Sequence, residues 1–197
     1  MPSLFTQAKW LALLRNGKSI YSCAELQRLT KLSDAALRRS LVRLGQIKLI
    51  ASLGKELYAN LLNTPTLEET AARLYPPAYI SLESALFTHG VIDQAPHVLT
   101  CVTLNKTKHF HSKLGEIFYG HLKPDLFFGY HTRERTALAE PEKAALDFIY
   151  LQKQNGLAPT LNEWNWEHLD HKRLRKLLAK YPASVKACLE QFQPRAD

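Results

Sequence analysis

The strongest constraint on the fold is a pair of helix starts in the first quarter of the sequence. Ser22 and Glu25 have the spacing of a capping box, in which each side chain accepts a hydrogen bond from the other residue's backbone N–H. We therefore expect a helix over about residues 23–29, a turn at residues 30–32, and a longer helix from Ser33 to about Gln46. Two short helices joined by such a turn are typical of a helix-turn-helix.

The segments on either side of this pair complete a recognisable domain. A first helix is expected over about residues 3–15, because Asn16 and Gly17 provide a stop signal after it. Residues 47–53 and 57–60 indicate two strands around a turn at Gly54-Lys55-Glu56. The sequence thus predicts a winged helix-turn-helix over residues 1–62, with Lys31 or Leu32 in an unusual backbone conformation because the turn lacks glycine.

The longer helix has two chemically different faces. At 100° per residue, Leu37, Leu41 and Leu44 share the buried edge. The opposite face combines groups that can read base edges: arginine pairs with guanine, an amide with adenine, and an apolar group with the thymine methyl. The alternative is a basic helix face that only meets solvent. The predicted contacts with double-stranded DNA are Ser33, Ala35, Arg38, Arg39, Val42, Arg43 and Gln46 on the helix, and Lys31, Lys48 and Lys55 on phosphates.

Charge is distributed unevenly along the chain. Of a net charge of +8, the first sixty residues carry +7, with ten basic and three acidic side chains. The other 137 residues carry 16 basic and 15 acidic side chains. This asymmetry indicates that a polyanion contacts the N-terminal part.

Residues 63–197 predict a mixed α+β domain, because helices are followed by strands and then by helices again. Pro141 suits the first turn of a helix that runs to about Gln154. The other expected helices begin at Thr66 and at Ser81, the latter covering Leu82 to His89, and the end of the chain from Thr160 to about Gln193 is helical with breaks near Asp170 and Pro182. The expected strands are Val98 to Leu104, Phe110 to Leu114, Glu116 to His121 and Leu126 to Tyr130.

Three stretches resemble the AbiEi-type antitoxins of abortive-infection (type IV) toxin–antitoxin systems. The resemblance covers most of residues 5–150 in the order and spacing of that family, and the segment ending in Gly54-Lys-Glu-Leu-Tyr58 is similar as well. The stretches are Pro77-Ala-Tyr-Ile-Ser-Leu-Glu-Ser-Ala-Leu86 with His89-Gly90, His121-Leu-Lys-Pro-Asp-Leu-Phe-Phe-Gly129, and Ala139-Glu-Pro-Glu-Lys-Ala-Ala-Leu-Asp147.

The resemblance implies a cytoplasmic repressor in phage defence that binds inverted repeats in the operator of its own operon, with self-association on DNA. It also implies a second domain that counteracts a nucleotidyltransferase-like toxin without an obligatory stable complex. Family members often carry several arginines where this chain has Lys106, Lys108 and His109. A second basic patch on nucleic acid would comprise Lys106, Lys108, Lys172, Arg173, Arg175 and Lys176, although the last four also suit a solvated helix face.

Catalysis is not predicted. The chain has neither a phosphate-binding GxxxxGK[ST] loop nor a GxSxG nucleophile motif. His109 and His111 could share one face of a strand, but the sequence supplies no third ligand at a suitable spacing, so no metal and no cofactor are expected. Two other functions stay open, a winged-helix transcription factor that responds to a ligand and a DNA-targeted nuclease that uses Asp125, Asp170 and Lys172.

Cysteine usage and hydropathy point to the same compartment as the resemblance. Cys23, Cys101 and Cys188 are odd in number and far apart, which excludes a disulfide framework or a CxxC metal site. No apolar stretch approaches the roughly 20 residues that span a bilayer, and the first residues lack the pattern of a secretion signal. We therefore expect a cytoplasmic protein that does not bind membranes.

Overall fold

The computed structural model describes residues 5–112 and 114–192, which form a mixed α+β fold. The chain divides into two compact units. The first is Met1–Thr70 with Ser112–Leu114, and the second is Ala71–His111 with Gly115–Asp197. No helix in the described ranges is both long enough and apolar enough to cross a membrane.

The described residues of the first unit form three complete helices and a three-stranded sheet. Its core is formed by Trp10, Leu14, Tyr21, Leu26, Leu37, Leu41, Leu44 and Ile50. The strands lie in the antiparallel order β1-β3-β2. In chain order the elements are α1 (Gln7–Arg15), β1 (Ile20–Ser22), α2 (Cys23–Thr30), α3 (Asp34–Gln46), β2 (Ile50–Gly54) and β3 (Leu57–Asn60).

The helix starts predicted from the sequence are present. The Ser22 hydroxyl accepts from the Glu25 N–H at 3.1 Å, and the Glu25 carboxylate accepts from the Ser22 N–H at 2.8 Å, which completes the capping box. Ser33 caps α3 by accepting from the Ala36 N–H at 3.4 Å. Between the two helices, Lys31 adopts the left-handed conformation with φ of 55°.

The hairpin between β2 and β3 has a two-residue loop, since Gly54 is paired with Leu57. Lys55 and Glu56 both have positive φ, 48° and 59°, as a type I′ turn requires. The prediction of a strand from residue 47 is wrong for its first part. Ile47 caps α3 and Lys48 has φ of 55°, so the backbone is not extended until Ile50. The predicted start of the first helix, before Phe5, lies outside the described residues.

One buried amide fixes the end of the hairpin. The Asn60 side chain is fully buried and donates to the carbonyl oxygens of Leu14, at 2.7 Å, and Lys18, at 2.9 Å. Its own oxygen accepts from the Leu62 N–H at 3.0 Å. Asn60 thus satisfies the Leu14 carbonyl in the last turn of α1 and the Lys18 carbonyl in the loop after it, and it ties β3 to that end of the helix.

The second unit is built on a six-stranded mixed sheet with the order β6-β7-β5-β4-β9-β8. Strand β4 is antiparallel to β5 and parallel to β9, β5 is parallel to β7, and β8 is antiparallel to β9. The strands are β4 (Ala78–Ile80), β5 (Leu99–Thr103), β6 (Lys108–Ser112), β7 (Gly115–His121), β8 (Tyr130–Arg133) and β9 (Thr136–Ala139).

Helix α6 is the central helix of this unit. Pro141 occupies its first turn and most of its residues are buried, among them Ala144, Ala145, Leu146 and Ile149. Helices α5, α7 and α8 each contact it. The helices that follow β3 are α4 (Leu67–Leu74), which begins in the first unit, α5 (Leu82–Thr88), α6 (Pro141–Gln154), α7 (His171–Leu178) and α8 (Ala183–Phe192).

Four predictions for this part of the chain are wrong. Leu126 to Tyr130 is not a strand, because a 3₁₀ turn covers Pro124–Leu126 and Gly129 has φ of 71°. Its aromatic residues instead pack on Tyr79, with ring centroids 4.9 Å from Phe127 and 4.5 Å from Tyr130.

The segment before His171 is also not continuously helical. The helical structure there is a 3₁₀ turn at Trp166–His168. Trp164 and Leu169 are both buried, but they are five residues apart, which is not the spacing of one face of an α-helix. Ser81 precedes α5, but its side chain makes no capping hydrogen bond. The predicted strand at Phe110 to Leu114 is found two residues earlier. Lys113 and Gln193, which fell within predicted elements, lie outside the described residues.

Candidate nucleic-acid interface

The two faces of α3 differ as the helical periodicity predicted. Leu37, Leu41 and Leu44 are at most 4% exposed and lie in the core. The side chain of Val42, by contrast, is 63% exposed on the opposite face. All the other residues predicted for that face are exposed too, namely Ala35, Arg38, Arg39, Arg43 and Gln46. The helix therefore presents three guanidinium groups, an amide and an apolar side chain to its surroundings.

The three arginines are not equivalent. Arg38 donates from Nε to the Asp34 carboxylate at 2.9 Å, one helical turn earlier. This hydrogen bond and the charge of Asp34 raise the pKa of Arg38. Within the described part of the chain, neither Arg39 nor Arg43 has an ion-pair partner. Both are therefore available for bidentate hydrogen bonding to an external acceptor.

A shallow hollow of about 430 Å³ lies beside Val42. It is bounded by α3 through Arg38, Leu41 and Gly45, and by the hairpin through Ile50, Ser52 and Tyr58. A Cβ added at Gly45 would meet no atom within 4 Å, so the glycine leaves this side of α3 open. The surface between the helix and the hairpin is thus concave, with arginine on its rim.

The three lysines predicted to reach phosphates stand at turns. Lys31 follows α2, Lys48 follows α3, and Lys55 lies at the tip of the β2–β3 hairpin. Each has an exposed side chain and a positive φ between 48° and 55°. All three side chains are therefore carried by turns outside the helices and strands.

The predicted second basic patch is less uniform. Lys106, Lys108, Lys172, Arg175 and Lys176 are exposed. The guanidinium of Arg173, however, forms an ion pair with the buried Glu140 and lies 3.8 Å from a carboxylate oxygen of Glu142. Arg173 therefore already has acidic partners inside its own unit. The Lys108 ammonium also has an internal contact, since it lies over the Phe110 ring, 4.7 Å from the ring centroid.

The Ala139–Asp147 stretch forms a buried polar cluster in the second unit. The Asp147 carboxylate is fully buried and accepts hydrogen bonds from Tyr79 at 3.0 Å, Ser81 at 2.9 Å and Tyr181 at 2.8 Å. It also forms an ion pair with the ammonium of Lys143, which is fully buried too. The cluster joins one turn of α6 to Tyr79 in β4, to Ser81 just after that strand, and to Tyr181 two residues before α8.

Burial governs the ionisation of this cluster. It raises the pKa of Asp147 and lowers the pKa of Lys143, while the attraction between the two charges opposes both shifts. Burial also raises the pKa of Tyr79 and Tyr181, and the adjacent Asp147 charge adds to that effect. The four side chains satisfy one another, as buried polar groups in a stable core must.

The sequence contained a signal for part of this cluster. Lys143 and Asp147 are four residues apart, so they share a face of α6, and they flank the apolar run Ala144-Ala-Leu146. That spacing could have identified the pair. Tyr79, Ser81 and Tyr181 could not be assigned to it, because they lie 34 to 68 residues away from Asp147.

The residues named for a nuclease do not share a strand. Asp125 is exposed in the 3₁₀ turn at Pro124–Leu126, and Asp170 caps α7 by accepting from the Arg173 N–H at 3.0 Å.

A cleft of about 360 Å³ in the second unit has mostly apolar walls, which include Phe118, Phe148 and Leu151.

Comparison with known proteins gave no match, either to a protein-family model or to a curated protein. The likeness to AbiEi-type antitoxins consequently rests on the sequence stretches described above, together with the similar segment that ends at Tyr58.

Proposed function

We propose that the chain is a sequence-specific DNA-binding repressor whose first unit is a winged helix-turn-helix. In this proposal α3 is the recognition helix in the major groove, α2 crosses the backbone, and the β2–β3 hairpin is the wing. The observation that carries it is the exposed face of α3, where Arg39 and Arg43 are available for bidentate bonding beside Val42 and Gln46.

Each group on this face has a partner in the major groove. Arg39 and Arg43 would bind the O6 and N7 acceptors of guanine, Gln46 would bind adenine, and Val42 would contact a thymine methyl. Arg38 has to leave Asp34, or to share it, before it reaches a base. Lys31, Lys48 and Lys55 would neutralise phosphates, so that affinity falls steeply as the salt concentration rises.

The biological role that we propose is that of a cytoplasmic type IV antitoxin. The chain would bind inverted repeats upstream of its own operon, associate with a second copy there, and counteract a nucleotidyltransferase-like toxin. This part rests on the resemblance to AbiEi-type antitoxins. Four residues of one resembling stretch, Glu140, Glu142, Lys143 and Asp147, are buried, so that stretch supports a shared fold for the second unit more directly than a shared mechanism of neutralisation.

A second candidate is a repressor that responds to a small ligand. The cleft in the second unit favours it, since a largely apolar hollow of about 360 Å³ falls within the range of small-molecule sites. Repression of the neighbouring gene without any relief of toxicity would favour this candidate over the antitoxin.

The test is a gel-shift titration on the DNA upstream of the chain's own gene, with excess nonspecific competitor. Arg39→Ala and Arg43→Ala should each weaken specific binding by about 1–3 kcal/mol, or roughly tenfold to a hundredfold, because each removes a bidentate contact. Arg15→Ala is the matched control, since it removes the same charge from an exposed position on α1. If either α3 variant bound the operator with wild-type affinity, the assignment of this face of α3 to DNA recognition would be refuted.

The antitoxin role has its own assay. The neighbouring gene is expressed from an inducible promoter with and without this chain, and growth is measured. Rescue of growth by the wild-type chain and by Arg43→Ala alike would assign neutralisation to the second unit. A neighbouring gene that encodes no nucleotidyltransferase, or toxicity that the chain does not relieve, would contradict the antitoxin role and leave the repressor intact.

A further inference from the structure

Three metal-binding side chains meet at one edge of the six-stranded sheet. His109 and His111 are two residues apart on β6, the terminal strand in the sheet order, and therefore share one of its faces. Glu116 lies on the neighbouring strand β7. Each of these residues offers one ligand atom, and these three atoms all lie within 4.8 Å of one another.

The separations suit a small ion. His109 Nε2 is 3.5 Å from one Glu116 carboxylate oxygen, and His111 Nδ1 is 3.1 Å from the other. In a tetrahedral zinc site with bonds of roughly 2.0–2.1 Å, neighbouring ligand atoms are about 3.3 Å apart. The two imidazole rings lie with their centroids 4.5 Å apart. All three side chains are exposed, so small rotations can bring the atoms into coordination.

The ligand chemistry selects the class of metal. Calcium and magnesium prefer oxygen ligands only, whereas imidazole nitrogen suits zinc, copper and nickel. Two histidines and one carboxylate supply three ligands, which leaves a position open on a four-coordinate ion, as in catalytic zinc sites. His109 also lines the cleft of about 360 Å³ in the second unit. A ligand in that cleft would therefore border the open position.

The geometry points to a divalent transition-metal site, with zinc as the expected ion, formed by His109, His111 and Glu116. Glu116 was not identified as a third ligand from the sequence, because it lies on β7 and meets the histidines of β6 only when the two strands are neighbours in the sheet. This site is independent of the proposed contact with DNA, since none of its residues belongs to α2, α3 or the β2–β3 hairpin.

The test uses the full chain without a polyhistidine tag, stripped of metal with EDTA and desalted. Zinc is titrated by calorimetry, and cobalt(II) is titrated while its visible d–d absorption reports coordination geometry. We expect one zinc ion per chain and intense tetrahedral cobalt bands. His109→Ala, His111→Ala and Glu116→Gln should each weaken binding at least tenfold, because each removes one of only three protein ligands.

Two controls separate this site from other zinc-binding groups. His131 is another exposed histidine on a strand, and its Nε2 lies 2.6 Å from a carboxylate oxygen of Glu140. It belongs to no group of three potential metal ligands among the described residues. The His131→Ala variant should therefore bind zinc like the wild type. Cys23→Ser removes the half-buried thiol and should also leave binding unchanged. Absence of saturable zinc binding would overturn the proposal. Wild-type zinc affinity in the Glu116→Gln and His109→Ala variants, with far-UV circular dichroism showing that both are folded, would also overturn it.

Discussion

The buried pair of Lys143 and Asp147 allows a quantitative test of what stabilises the second unit. Neither side chain has any exposed surface, and every hydrogen bond described above for the Asp147 carboxylate comes from within that unit. Lys143→Met keeps an unbranched side chain only one atom shorter, but leaves a buried carboxylate without its cation. Removal of one partner of a buried ion pair costs about 3–5 kcal/mol. That is a large part of the roughly 5–15 kcal/mol by which a domain is stable.

The double variant Lys143→Met/Asp147→Asn distinguishes an ion-pair effect from a packing effect. The amide oxygen of asparagine can still accept hydrogen bonds from Tyr79 or Ser81, and no charge remains buried. We therefore expect the double variant to be more stable, by at least about 2 kcal/mol, than the sum of the two single losses implies. If both residues acted only through their volume, the effects would add.

Urea unfolding followed by tryptophan fluorescence measures these free energies. In a Trp10→Phe background the remaining fluorophores, Trp164 and Trp166, both belong to the second unit and report its unfolding. Lys176→Met is the matched control, because Lys176 is exposed on α7 and its replacement should change stability by no more than about 0.5 kcal/mol. A loss below about 1 kcal/mol in Lys143→Met, or strict additivity in the cycle, would refute the assignment of the pair.

Two further predictions concern backbone strain and alkaline stability. Lys31 has φ of 55°, a conformation that costs less for glycine, so Lys31→Gly should stabilise the first unit by about 0.5–1 kcal/mol in thermal unfolding. Lys31→Ala should give no such gain, and equal stability of the two variants would contradict the expectation of backbone strain at this residue. Burial raises the pKa of Tyr119, whose hydroxyl donates to the Ala71 carbonyl at 2.7 Å, so its contribution to stability is complete below pH 10 and is lost above it. Tyr119→Phe should reduce the fall in unfolding free energy above pH 10 by about 1.4 kcal/mol per pH unit, and an unchanged slope would contradict this expectation.

Local signals in the sequence predicted the first unit well. The Ser22–Glu25 capping box and the Ser33 cap are interactions over three residues, so their partners are visible in the sequence itself. The leucine spacing of α3 likewise fixes its buried edge without knowledge of the fold. The strand β1 was missed because it has only three residues, and its partner in β3 is almost 40 residues away, with Ile20 opposite Ala59.

Long-range contacts explain the errors in the second unit. Ser81 has the local pattern of a helix cap, yet its hydroxyl donates to Asp147, 66 residues later, and Leu82 begins α5 with φ of 57°. The apolar run at residues 126–130 suggested a strand, but its rings pack around Tyr79. In both cases a tertiary contact overrides the local preference, and only the folded chain shows which residue supplies that contact.

The acidic partners of the basic residues differ between the two units. Of the three acids among the first sixty residues, Glu25 completes the α2 cap and pairs with Lys18 at 3.0 Å, and Asp34 holds Arg38. In the second unit, by contrast, buried carboxylates neutralise Lys143 and Arg173. The second unit therefore places one basic residue, Lys143, in its core, and Arg173 is held by a buried carboxylate although its own side chain is exposed. Repulsion among the exposed cations of the first unit destabilises the folded domain, and the proposed contact with DNA would relieve that repulsion.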